Sequence, residues 1–211
     1  MYRPSAFRED SLEAQHALIR ERPLGLLITT GSLGLLADSV PFVLDEKAGA
    51  LGTLRAHLSR ANPQHQALAE AEECLAVFQG PQAYITPSWY ETKRETGKVV
   101  PTWNYVSVQA WGRPRLIDDP AWLRAQIDAL TGLMEGPRQE PWAVSDAPKP
   151  FVDAQLRGIF GVEIPIARIE GKWKASQNQP EKNRSGVAEG LRSEGNEAMA
   201  EIVAVRGMLA G

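Results

Sequence analysis

Hydrophobic and polar residues alternate along Thr53-Leu54-Arg55-Ala56-His57-Leu58-Ser59. A strand sends successive side chains to opposite faces. Leu54, Ala56 and Leu58 therefore share one face, and Thr53, Arg55, His57 and Ser59 share the other. Asn62-Pro63 follows, with asparagine at an N-cap and proline at the first helical position. A row of cationic and hydroxyl groups thus runs into a helix start, a pattern able to cradle an anion. On this stretch alone, an ordinary strand with one wet face is the simpler reading.

Upstream, Asp10-Ser11-Leu12-Glu13 has capping-box spacing, and Leu12, Ala14, His16 and Ile19 form a mixed helical stripe ahead of Pro23. Leu24 to Thr30 and Leu35 to Leu44 predict a hairpin about Gly31-Ser32-Leu33-Gly34. Pro41 removes one ladder donor, so the second strand belongs at an edge or carries a bulge. A turn at Asp45 to Gly49 leads into the alternating strand. Three strands joined by short turns predict an antiparallel sheet.

Downstream, the helix begun at Asn62 ends near Glu73. Cys74 to Gln79 reads as a buried strand, Gly80-Pro81 as a turn and Gln82 to Thr86 as the next strand. Pro87 to Lys98 reads as a long loop. Trp103 to Ile117 predicts one long strand, with Val106, Val108 and Ala110 opposite Tyr105, Ser107, Gln109 and Trp111; Gly112 marks a bulge or barrel bend. Asp119-Pro120 caps a helix over 121–133 with Trp122, Leu123, Ile127, Leu130 and Leu133 at helical spacing. Prolines 137, 141, 148 and 150 make a loop, and a short helix covers 151–158. Val162, Ile164, Ile166 and Ile169 predict one strand toward Gly171. Lys172 to Asn178 reads as an extended polar segment with a solvated linker as its simple alternative, and Arg184 to Met208 as two helices parted near Gly195-Asn196. About six to eight strands in hairpin order with interspersed helices predict a mainly β fold with α decoration, a barrel or half-open barrel. Residues 1–183 form the domain and 184–211 a helical extension of it.

Composition narrows the chemistry. The 211 residues carry a net charge of -3, which offers no bulk attraction to nucleic acid or anionic lipid. The one cysteine, Cys74, excludes an intrachain disulfide and fits a reducing cytoplasm. The apolar region from Leu24 to Leu44 is interrupted by glycines, Asp38 and Pro41, so it predicts no membrane span. His16, His57 and His65 lack metal-ligand spacing, and neither a Walker loop nor a dinucleotide-binding glycine motif is present.

Three clusters carry candidate chemistry. Arg55, His57, Ser59 and Arg60 offer phosphate donors. Pro101-Thr102-Trp103-Asn104-Tyr105, with Trp89-Tyr90 and Lys93, offers aromatic faces and an amide for a planar heterocycle, with core packing or a dimer interface as the simpler alternative. Lys172 to Asn178 adds two lysines, a tryptophan and amides. Together they match what a nucleotide-like cofactor requires.

In order along the chain, the sequence resembles the PaiB family of FMN-binding negative transcriptional regulators, which have the flavin split-barrel fold. Met1-Tyr2-x-Pro4-x-x-Phe7, Leu51 to His57 with Arg60-Ala61-Asn62-Pro63, and Val77-Phe78-Gln79-Gly80-Pro81 carry the resemblance. So do Pro87-Ser88-Trp89-Tyr90, Val99 to Tyr105, and Gly171-Lys172-Trp173-Lys174-x-Ser176-Gln177-Asn178. The resemblance implies an antiparallel, Greek-key-like split barrel with C-terminal helices, FMN as cofactor and a homodimer holding it. It implies Arg55, His57, Ser59 and Arg60 at the phosphate, Thr102, Trp103, Asn104 and Tyr105 along the ring, and Lys174 with Gln177 closing the site from the partner chain. Two departures stand out: Ala61 replaces a superfamily lysine, and Gln109 stands where many members carry histidine. Two functions follow from the resemblance: flavin-dependent redox or flavin sensing, and regulation through DNA or a protein partner without catalysis. The acidic balance and the lack of a helix-turn-helix pattern do not support direct DNA contact. Haem is a third option for a planar ligand, but no histidine is clearly placed as its axial ligand.

Overall fold

The computed structural model describes residues 1–208. Strand β1 (Arg8–Glu9) precedes helix α1 (Leu12–Glu21), whose inner side buries Gln15, His16, Leu18 and Ile19. Strands β2 (Leu24–Gly31) and β3 (Gly34–Pro41) form the predicted hairpin, in register from Leu24↔Pro41 to Gly31↔Gly34. Gly34 closes the turn at φ +85°, a left-handed conformation that favours glycine.

The strand expected to run to Leu44 instead ends at Pro41. Proline has no N–H to continue the ladder, and the buried Phe42 donates its N–H to the Pro23 carbonyl at 2.8 Å. The next residues, β4 (Val43–Asp45), pair with β5 (Thr53–Ser59) in a different sheet. Pro41 therefore sits at the end of an edge strand, as its missing donor requires.

Helix α2 (Gln64–Glu70) stops three residues short of the expected Glu73. Strand β6 (Cys74–Ile85) runs straight through Gly80-Pro81, where the sequence pattern predicted a turn. A proline φ is compatible with extended backbone, and the β2–β6 register ends at Val77, so Pro81 deprives β2 of no donor. The expected long loop holds a 3-10 turn at Pro87–Trp89 and helix α3 (Glu91–Thr96). The expected single strand to Ile117 is two, β7 (Thr102–Gly112) and β8 (Arg115–Ile117), in different sheets. Helices α4 (Pro120–Glu135) and α5 (Lys149–Arg157) follow; Asp119 caps the first by accepting from the N–H groups of Ala121 and Trp122. The expected strand from Val162 toward Gly171 is also two, β9 (Ile159–Pro165) and β10 (Arg168–Lys174). Helices α6 (Glu181–Ser193) and α7 (Glu197–Met208) form the expected C-terminal pair. The described residues hold ten strands against the six to eight expected: three apparent long strands divide where they change sheets, β1 is added, and the two strands expected on either side of Gly80-Pro81 are one.

The chain forms two compact units. The first comprises Met1–Ser11, Gln79–Val108 and the chain from Glu170 onward; the second comprises Leu12–Phe78 and Gln109–Ile169. Strands β6 and β7 contribute residues to both. In the second unit lies the four-stranded antiparallel sheet β4-β5-β9-β8, with β5 and β9 paired from Thr53↔Pro165 to Ser59↔Ile159. Its apolar side supplies Leu54, Ala56, Phe160, Val162 and Ile164, all with no exposed surface. The corner after β7 meets the corner after β9: Ala167 donates to the Trp111 carbonyl at 2.8 Å, and a Cβ on Gly112 would stand 2.2 Å from the Pro165 carbonyl oxygen. In the first unit β1 pairs with β10 through Arg8↔Lys172 and Glu9↔Gly171. There α6 carries Gly186 and Gly190 one turn apart, and the Trp89 indole fills the space that a side chain on Gly190 would take.

Two predictions follow from this packing. Gly112→Ala should cost about 3 kcal/mol, since backbone rather than a pliable side chain must move; chemical denaturation measures it. Burial beside Glu73 pushes the Cys74 thiol up to about 12, so Cys74 should resist a disulfide reagent at pH 8 in the native protein and react once unfolded.

Candidate functional site

The residues singled out by sequence fall into two groups, one in each unit. In the second unit, Arg55, His57 and Ser59 alternate with buried Leu54, Ala56 and Leu58 along β5, as the period-two pattern requires. Arg55 is held twice, at 2.8 Å by Asp45 and at 3.4 Å by Glu163, which are its neighbours on β4 and β9. Glu163 also accepts from the Trp122 indole at 2.9 Å, which fixes it in place. Two carboxylates on one guanidinium leave that triad net negative.

His57 sits between these charged neighbours and the strand end. Its Nδ1 is buried and has no hydrogen-bond partner among the described residues. Burial lowers its pKa below the usual histidine value, so the ring is neutral at pH 7. Ser59 accepts from the Ala61 N–H at 3.2 Å through its hydroxyl oxygen, and its own proton remains to donate.

Arg60 differs from Arg55. Its Nε donates to the Arg157 carbonyl at 3.1 Å, and its ion-pair partner Asp118 lies at 2.7 Å. Asp118 is 67% exposed, so that pair is a surface pair of small net value. Arg60, Asp118, Leu123, Leu156 and Arg157 line a cleft of about 600 Å³. The anticipated anion cradle at the start of α2 is closed from within, since Asn62 Oδ1 already accepts the Gln64 N–H at 2.8 Å.

In the first unit, strand alternation divides the Thr102 to Tyr105 run between two faces. Thr102 and Asn104 line a cavity of about 180 Å³ together with Tyr90, Lys174, Ser176 and Gln179. Trp103, at 53% exposed, instead meets Tyr84 edge to face at 6.0 Å. Tyr105 lies 5.1 Å beneath the ammonium of the buried Lys172, a cation–π contact. Lys174 donates to Thr102 Oγ1 and to the Trp103 carbonyl. Burial, then repulsion from Lys172, lowers its pKa.

The Gln177 side chain closes its own turn, donating to the Trp173 carbonyl and accepting from the Ala175 N–H. Ser176 inside that turn has φ +61°, the only left-handed non-glycine among the described residues, and accepts from Asn104 Nδ2 at 2.9 Å. The solvated-linker alternative for Lys172 to Asn178 fails, because Lys172, Trp173, Ala175 and Ser176 are all buried. Sequence reasoning missed Ser176 and Gln179 as cavity residues. Ser176 lay within the Lys-x-Ser-Gln-Asn motif, but nothing local signals its left-handed backbone. Tyr90 is set at the cavity by α3 and α6, since Asn183 donates to Thr92 Oγ1 at 2.9 Å and accepts from the Thr92 N–H at 3.1 Å.

Residues 1–168 match the family described as "Putative FMN-binding domain". The chain belongs to this FMN-binding-domain family. Among its relatives, "Uncharacterized protein AN0679" of Emericella nidulans is 38% identical over 98% of each chain. "Protease synthase and sporulation protein PAI 2" of Bacillus subtilis is 29% identical over 96% of each. The "FAD and Heme binding protein" from Mycobacterium smegmatis shares the fold at a TM-score of 0.58 and 18% identity, over 79% of this chain and 73% of that one. The mainly antiparallel fold with helices is that of the flavin split barrels, as the sequence resemblance implies.

The residues present fit the FMN that this family implies, though unequally. A phosphate needs a cation that can be released from its partner. Arg60 meets that condition with Ser59 beside it, whereas Arg55 is held between two carboxylates and His57 is neutral. In the first unit Trp103 presents an accessible aromatic surface. The 180 Å³ cavity is smaller than the roughly 300 Å³ at which sites for drug-sized ligands begin.

Because His57 is neutral when folded and the unfolded chain takes its proton first, stability should fall as pH drops below 6.5. An NMR titration of the histidine ring protons should place the His57 midpoint below 6.5, in a signal absent from His57→Gln.

Proposed function

We propose that this chain is a flavoprotein using FMN in a redox or flavin-sensing role, acting as a cytoplasmic homodimer and linked to negative regulation of transcription. The observation that carries the flavin reading is Arg60, a guanidinium whose carboxylate partner is largely exposed, adjoining a serine with a hydroxyl to give. These two groups are assigned to the phosphate. In the first unit Trp103, with Tyr84 at its edge, presents an exposed aromatic face. When bound, FMN supplies the hydride or electron transfer. Arg60 and Ser59 bind its charged end.

The family match and the flavin and haem named for the Mycobacterium smegmatis neighbour support a flavin or other planar ligand. The sporulation name of the Bacillus subtilis relative supports a link to gene control. A net charge of -3 favours control through a protein partner or through flavin state over direct DNA contact. Among the described residues no helix is long and apolar enough to cross a membrane.

The purified protein should be yellow and release FMN on denaturation. Arg60→Ala should weaken FMN retention by about tenfold or more, the value of a charge-assisted hydrogen bond. The same change should lower stability by about 1 kcal/mol, since an exposed ion pair and the exposed hydrogen bond to the Arg157 carbonyl are lost. A variant that retains its flavin would move the phosphate to another site.

A further inference from the structure

Lys174 is a cation with no carboxylate partner among the described residues. In the first unit Glu9 is engaged by Arg206, and Glu170 by the N-terminal ammonium at 2.8 Å and by Arg3. Lys172 is occupied with the rings of Tyr105 and Tyr2. Lys174 instead spends two of its three N–H donors on Thr102 and the Trp103 carbonyl, leaving one. No acidic side chain lines the 180 Å³ cavity it enters; hydroxyl, amide and apolar groups supply the rest. A half-buried ammonium facing a cavity free of acids is incomplete without an anion.

The neighbouring donors converge on the same place. Ser176 accepts from Asn104, so its hydroxyl proton is left to give, and Asn104 has a second N–H. Holding Ser176 at φ +61° strains the backbone, and the Gln177 amide clamps the turn that keeps it there. Strained backbone of this kind persists where the surroundings over-determine it, and it serves here to turn a hydroxyl toward Asn104 at the cavity. One positive charge with neutral donors suits a single negative charge. The small volume suits a short chain.

We propose that this cavity binds the carboxylate group of a small organic acid, with Lys174 as the charge partner and Asn104 and Ser176 as neutral donors. Its lining includes neither Arg60 nor Ser59, so it does not depend on the phosphate assignment.

Acetate and its uncharged counterpart acetamide test it on the full chain as purified, by amide chemical-shift mapping. Acetate should give saturable shifts grouped at Thr102 to Asn104 and Lys174 to Gln179, and acetamide at equal concentration should not. Lys174→Gln should lower acetate affinity at least tenfold. Equal response to the two probes, or acetate shifts scattered over surface lysines and arginines, would overturn the assignment. The mapping on the unsubstituted protein decides the matter even where Lys174→Gln fails to fold. A protein that binds acetate here yet carries no flavin would overturn the flavin reading alone.

Discussion

The close approach of Gly112 to the Pro165 carbonyl is the contact on which the second unit depends. At that point the chain leaves β7 for β8, and a second passage, from β9 to β10, leaves at the same corner. Ala167 and Trp111 bridge the two by a backbone hydrogen bond of 2.8 Å. Only a residue without a side chain admits the approach. The four-stranded sheet that carries Arg55, His57 and Ser59 is thereby set by two chain corners that constrain each other. Pro41 and Phe42 make a third passage between sheets, enforced by a missing N–H rather than a missing side chain.

That sheet also decides which basic residue is available. Cross-strand pairing puts Glu163 directly beside Arg55, and Asp45, two residues along β4 from its paired Val43, reaches it as an ion pair, so the fold itself neutralises the cation that the sequence pattern marks first. Arg60 lies just past the strand, where its partner is an exposed aspartate. Desolvation then removes the charge of His57. Three positions that look equivalent in sequence therefore differ in charge and in readiness to meet an anion.

Much of this was legible in the chain. The β5 alternation, the β2–β3 hairpin, the Asp119 cap and the paired C-terminal helices follow from local pattern, because each is decided by neighbours in sequence. Pro41 and Gly112 were legible as interruptions, but that the chain changes sheets there was not, since the strand each segment pairs with next lies far along the chain. Gly80-Pro81 misled in the opposite sense: its composition signals a turn, yet long-range pairing keeps it extended. The even positions Thr102 and Asn104 and the odd positions Trp103 and Tyr105 could have been separated by the same period-two rule used for β5. The left-handed backbone of Ser176 could not, because the folded turn closed by the Gln177 side chain and the contact with the distant Asn104 hold it.

Comparing the affinities of FMN and riboflavin, which differ only in the phosphate, tests the assignment of Arg60 and Ser59 most directly, through quenching of tryptophan fluorescence. Tighter binding of FMN by about tenfold or more is the expected result. Equal affinities would contradict it.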